Sequence, residues 1–142
     1  MQIEYYSRID DFCILFGSIE IGRYVHITPM CLIAGGNPGV KLLDCCTLAY
    51  GVKIFAQSDD YSGETMVNSL IDSMYKLELF SSVVLNKHVI MGTNAVVLPG
   101  VIIAEGCSVG AMSLLKKVLK LGGYISEYLR LDLKNEKKIY LC

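Results

Sequence analysis

The strongest constraint in this chain is a six-residue step in its aliphatic residues. Counting from Ile9 the positions read Ile9, Leu15, Ile21, Ile27 and Ile33, then, after three extra residues, Leu42, Leu48 and Ile54. After a longer interruption the step returns at Leu79, Leu85, Met91, Val97, Ile103, Val109 and Leu115. Ile, Leu, Val and Met make up roughly 35% of the chain, so an unbroken set of this size arises by chance on the order of once in ten million trials. A second set follows four residues behind the first: Cys13, Ile19, Val25, Cys31, Cys46, Val52, Ser58, Val83, Val89, Ala95, Val101, Cys107 and Ser113, nearly all small or β-branched. A helical period of 3.6 cannot keep such a step, whereas short strands separated by turns can.

Six residues of strand and turn make one side of a triangular coil, and three sides close a turn of about 18 residues. The expected fold is therefore all-β, a parallel β-helix of about five triangular coils, roughly 24 Å long at the usual strand spacing. Strand twist favours right-handed crossovers, and the period itself does not give the hand. The expected organisation is a lead-in over residues 1–8, the repeat over 9–115 with an excursion at 59–78, and a C-terminal cap or tail over 116–142.

Composition narrows the function classes. The chain has 142 residues, 13 basic and 14 acidic, for a net charge of −1, which is no footprint for nucleic acid. No apolar run reaches the length of a membrane span, and residues 1–8 lack the basic-then-apolar plan of a signal peptide, so a cytoplasmic location is expected. Without an export signal, six cysteines do not read as a disulfide framework, and no Cys-x-x-Cys or Cys-x-x-His spacing suits zinc. Cys13, Cys31, Cys46 and Cys107 fall at the second inward position, where a small apolar side chain fits, and no metal is expected.

The interruptions draw attention. Gly35-Gly36-Asn37-Pro38-Gly39 adds three residues at one corner, either as a bulge or as part of an acceptor site. The longer excursion opens with Asp59, Asp60, Tyr61 and Glu64, groups suited to a polyhydroxylated ligand: carboxylates accept from hydroxyls and tyrosine offers a ring face.

The hexads, together with Ser58-Asp59-Asp60-Tyr61-Ser62-Gly63-Glu64 and the segment from His88 through Leu98-Pro99-Gly100-Val101, resemble the hexapeptide-repeat acyltransferases, with the maltose and galactoside O-acetyltransferase branch nearest. The likeness covers about residues 9–118. It implies a left-handed β-helix, a homotrimer with sites between subunits, and acetyl-CoA as donor. It places the CoA arm along Gly92, Thr93, Gly110, Ala111, Ser113, Lys116 and Lys117, where small residues admit the pantetheine and ammonium groups meet phosphate.

In many relatives a histidine opens the loop as general base, and here that position aligns with Asp59. A carboxylate is a weak base for an alcohol near neutral pH. Asp60 beside it can raise it, because two close carboxylates resist double ionisation. His88 is the other candidate base, and His26 a candidate substrate contact or packing residue.

The leading expectation is an acetyl-CoA-dependent O-acetyltransferase acting on a sugar or surface-polysaccharide precursor. The alternatives are an N-acetyltransferase of a nucleotide-linked amino sugar and a non-catalytic trimeric scaffold. A carbonic-anhydrase-like metal site is disfavoured, since it needs three histidines and the chain has two.

Overall fold

A computed structural model describes residues 1–116 and the strand Tyr124–Ile125. The chain is all-β, a left-handed parallel β-helix of about five coils. Three faces can be followed through the strand pairing. The first face stacks Gln2–Ile3 on residues 20–21, 41–42, 84–85 and 102–103. The second stacks Arg8–Ile9, His26–Ile27, Thr47–Leu48, Ile90–Met91, Ser108–Val109 and Tyr124–Ile125. The third stacks residues 14–15, 32–33, 53–54, 96–97 and 114–115. Coil-to-coil hydrogen bonds such as Thr47 N–H to Val89 O at 2.9 Å and Val96 N–H to Ser113 O at 2.8 Å tie each rung to the next.

Each rung points one residue outward and one inward, and the inward ones are the six-step aliphatics. Ile21, Ile27, Ile33, Leu42, Leu48, Ile54, Leu85, Met91, Val97, Ile103, Val109 and Leu115 are buried, with Ile9 and Leu15 partly open at one end. Full burial of such a side chain is worth about 1.5–3 kcal/mol. The second set fills the prism between them, Cys31, Cys46 and Cys107 included. None of the described cysteines is in a disulfide. Burial pushes the Cys46 thiol up to about 11, and its Sγ donates to Asn86 O at 3.0 Å, so it is a space-filling thiol rather than a nucleophile.

The corners have their own signature. Tyr6, Phe12, Tyr24, Met30, Cys45, His88, Asn94 and Met112 all have φ between 56° and 65°, the left-handed region, and Gly51, Gly100 and Gly106 share that region at 69°, 82° and 72°. Every one stands three residues past an inward aliphatic or its equivalent, so a single turn geometry is repeated at every closed corner. Gly92, just before one such corner, carries a second constraint: a Cβ there would run into the backbone of Ala111 in the next coil. Its small size is required for coil-to-coil packing whatever else binds nearby.

Two expectations change, and at Gly35–Gly39 the bulge alternative is the one observed. Leu79 does not belong to the repeat: it is 52% exposed, and Glu78–Phe80 pairs antiparallel with Gln57–Asp59. Coils resume at Val83–Leu85, which lies on residues 40–42. The lead-in is not separate, because Gln2–Ile3 pairs with residues 20–21 as the first rung. The segment around Gly35–Gly39 is part of one long strand, Leu32–Leu42, which runs through its corner beside Ile14–Ile21 with register shifts that absorb the extra residues. Of the tail, Lys116 follows the last coil rung, Tyr124–Ile125 adds a rung to the second face, and the rest lies outside the described residues.

Candidate functional site

The corner between the third and first faces is the one that the excursion opens. Gln57–Asp59 and Glu78–Phe80 form a short hairpin stem, closed at its base by Ser81 N–H to Ala56 O at 3.0 Å and continued by Asp60 N–H to Leu77 O at 3.0 Å. Beyond the stem, the Asp60 carboxylate organises the turn. It accepts from Ser62 N at 3.0 Å, Ser62 Oγ at 2.6 Å and Thr65 Oγ1 at 3.2 Å. These bonds, that of the Ser62 hydroxyl foremost, hold its carboxyl below the usual aspartate range. Asp60 therefore stays ionised and serves the loop, which removes the shared-proton argument for Asp59.

An open cleft of about 490 Å³ lies between this hairpin and the coils that follow. Tyr61, Leu79, Phe80, Leu98 and Pro99 give it apolar and aromatic walls, and Ser58, Ser62 and Ser81 give it hydroxyls. Asp59 and Lys116 bring one carboxylate and one ammonium. Among the described residues the Asp59 carboxylate has no hydrogen bond or ion pair. It is thus an acceptor held on a paired strand with nothing to accept from, while Asp60 next to it is fully engaged.

The other sequence candidates lie elsewhere on the prism. His88 is exposed at the corner between the first and second faces, its backbone N–H on Asp44 O at 3.1 Å, so within one chain it does not meet Asp59. His26 sits on the second face, Nε2 2.9 Å from Asp10 Oδ2, and that bond leads the effects that lower the Asp10 carboxyl, with Arg8 adding to it. Glu64 is exposed in the loop, outside the cleft wall. Gly92, Thr93, Gly110 and Ala111 line the corner between the second and third faces, and Ser113 is buried. Lys117 lies outside the described residues. Face arithmetic could have found residues that were missed: adding one coil of 18 to Ser81 reaches Pro99 beside Gly100, and stepping back one coil from Lys116, already a candidate, reaches Leu98.

Among the described residues no group of three or more His, Cys, Asp or Glu could hold a metal ion, and no helix is long and apolar enough to cross a membrane.

No family model matches the chain. It is 37% identical over 113 residues to a dTDP-4-amino-4,6-dideoxy-D-glucose acyltransferase from Escherichia coli, covering 78% of this chain and 58% of that protein. AntD, an N-acyltransferase from Bacillus cereus, is similar in structure. One mutant, in complex with dTDP-4-amino-4,6-dideoxyglucose and coenzyme A, has a TM-score of 0.81 and 39% identity over 83% of this chain and 63% of that one. Another, with dTDP and coenzyme A, has a TM-score of 0.74 and 31% identity over 93% and 71%. The chain thus spans somewhat under two thirds of the length of the first two. These relatives carry the names of N-acyltransferases, or of an acyltransferase of an amino sugar, which displaces the maltose and galactoside O-acetyltransferase branch suggested by the motifs. The chain belongs to the hexapeptide-repeat acyltransferases.

Proposed function

We propose that this chain carries the acyl-transfer site of an N-acyltransferase, which moves an acyl group from acyl-CoA to the amine of a nucleotide-linked amino sugar. The observation that carries this reading is the unpartnered Asp59 carboxylate in the cleft, which Lys116 also lines. An amine asks less of a base than a hydroxyl does. A carboxylate attracts and orients the sugar ammonium; once one proton has left to solvent, the free amine attacks the thioester carbon while the carboxylate takes a second proton and passes it to the departing thiolate. The new N–C bond forms, the C–S bond breaks, and coenzyme A leaves with the electron pair of that bond. Lys116 suits a phosphate of the donor. The names of the relatives, with their dTDP-linked amino sugar and coenzyme A, support the same substrates.

The reading includes a homotrimer. Outward positions on the third face are Ile14, Leu32, Lys53, Val96 and Leu114, a stripe that is apolar except for Lys53, whose Nζ donates to Gly51 O at 2.9 Å, and that is flanked by exposed Phe12, Met30 and Met112. Such a stripe suits packing against other copies. Both substrates are cytoplasmic pools, and the chain is placed with them.

The test is thiol release from acetyl-CoA and longer acyl-CoAs with dTDP-4-amino-4,6-dideoxyglucose, maltose and a galactoside as acceptors. Turnover confined to the amino sugar and lost in Asp59→Asn supports the proposal. Turnover with the hydroxyl sugars alone, or an Asp59→Asn variant as active as the parent, overturns it.

A further inference from the structure

The corner between the first and second faces carries a ladder of side chains unlike the other two corners. Parallel register places Tyr6 under Tyr24, Tyr24 under Cys45 and Cys45 under His88, since Arg8 pairs with His26, His26 with Thr47 and Thr47 with Ile90. All four share one backbone geometry, with φ of 63°, 57°, 63° and 60°. The corner hydrogen bonds repeat with them, Cys45 N–H to Arg23 O at 2.9 Å and His88 N–H to Asp44 O at 3.1 Å.

At the lower two steps the ladder is filled. The Tyr6 and Tyr24 rings are stacked, centroids 5.2 Å apart and planes within 7°, and both are largely open to solvent, at 78% and 59%. The coil rise of about 4.8 Å is itself close to a stacking distance, so successive rings at this corner meet face to face. At the third step the side chain is only a thiol, and at the fourth a ring returns with His88. Two coil rises, about 9.6 Å, separate the Tyr24 and His88 positions. One flat ring placed over Cys45 would lie about 4.8 Å from each, continuing the spacing that Tyr6 and Tyr24 already show.

We propose that this missing rung is a seat for the base of a nucleotide. The base stacks on the free face of Tyr24, below the His88 position and in front of Cys45. Tyrosine faces take heteroaromatic bases without regard to sequence, by stacking. Beside the gap stands Lys87, exposed and next to His88, with no ion pair among the described residues. Its ammonium is the group there for a phosphate, because the Arg23 guanidinium is engaged by Asp44 at 2.8 Å. The seat lies on a different corner from the Asp59 cleft and goes beyond the acyl-transfer reading. Thymine of a nucleotide sugar and adenine of coenzyme A present the same chemistry to it.

Cys45 supplies the readout, being half-buried at the back of the gap whereas Cys31, Cys46 and Cys107 are buried. The full chain is alkylated with iodoacetamide, and labelling of each cysteine is followed by mass spectrometry with added dTDP, thymidine or adenosine 3′,5′-bisphosphate. The expected result is severalfold slower labelling of Cys45, but not Cys13, by dTDP or by the adenosine bisphosphate. Whichever protects identifies the source of the base, and protection by neither overturns the proposal. Thymidine protects more weakly than dTDP, and Lys87→Ala removes the difference.

Tyr24→Ala weakens nucleotide binding about tenfold, the scale of one base–aromatic stack, and Tyr24→Phe retains it. Cys45→Phe fills the gap with a ring of the protein's own, in a geometry Phe12 already adopts, and abolishes binding with no loss in melting temperature. Binding by Cys45→Phe equal to that of the parent overturns the seat. Protection of Cys45 that rises with protein concentration and needs no nucleotide assigns the gap to a second copy of the chain, and overturns it equally. Asp59→Asn, which tests acyl transfer, leaves this protection in place.

Discussion

Leu48 and Leu70 are the same residue type in two regions with opposite construction. Leu48, in a coil, is wholly buried between rungs that hydrogen-bond on both sides, whereas Leu70, in the excursion, is 91% exposed. In the coils nearly every inward position is apolar and polar chemistry is confined to the outside, so even cysteines are silent there. In the excursion the order comes from polar groups instead: Asp60 gathers Ser62 and Thr65, and Asp72 accepts from Met74 N at 3.0 Å. The difference teaches where function can reside. An inward side chain of the stack is fixed by burial and cannot reach a ligand, while the hairpin stem presents Asp59 on paired backbone with its carboxylate open.

If that division is right, the largest effect comes from the smallest chemical change in the excursion. Asp59→Asn lowers the rate of acyl transfer to the amino sugar by about 10²- to 10⁴-fold, the usual contribution of a positioned base, with an unchanged circular-dichroism spectrum. A matching loss of structure would place Asp59 with the coils instead.

Leu48→Ala removes a buried rung side chain and lowers unfolding free energy by about 2–5 kcal/mol in urea titrations, since the neighbouring coils cannot close over the void. Asp60→Asn sits between the two regimes. The bonds from Ser62 and Thr65 depress the Asp60 carboxyl, so its support is fully present above the ordinary aspartate value and fades as pH falls through the lowered one. Protection of the Ser62 amide, taken relative to its intrinsic exchange rate, falls below about pH 4 in the parent, and in Asp60→Asn is already low and nearly flat with pH. The smallest effect is Leu70→Ala, within about 0.5 kcal/mol of the parent. A larger cost in dilute solution would show that the excursion packs on something, and its growth with protein concentration would identify another copy.

The same contrast explains what the sequence made legible. A coil writes its geometry into the chain every six residues, so the inward sets from Ile9 to Ile54 and from Leu85 to Leu115 could be read directly. Leu79 shows the limit. It falls in step, yet it belongs to a three-residue antiparallel stem, and such a stem is too short to leave a period of its own. Asp59 was visible as a carboxylate at a loop mouth, but its freedom was not, because that depends on Asp60 turning into the loop. His88 was placed near the loop by its position in the chain. Proximity on a prism follows the face rather than the chain, and six residues carry the chain on to the next corner.

The base of the excursion has one further consequence. Ser81 N–H meets Ala56 O, and Val83 settles on Val40 as though residues 57–80 had not intervened. The two ends of the insert leave and return at one point, so the stack does not register its length. A different hairpin joined at Ala56 and Ser81 would leave the rungs above and below undisturbed. Acceptor preference could then change by wholesale exchange of one loop, with the fold inherited intact.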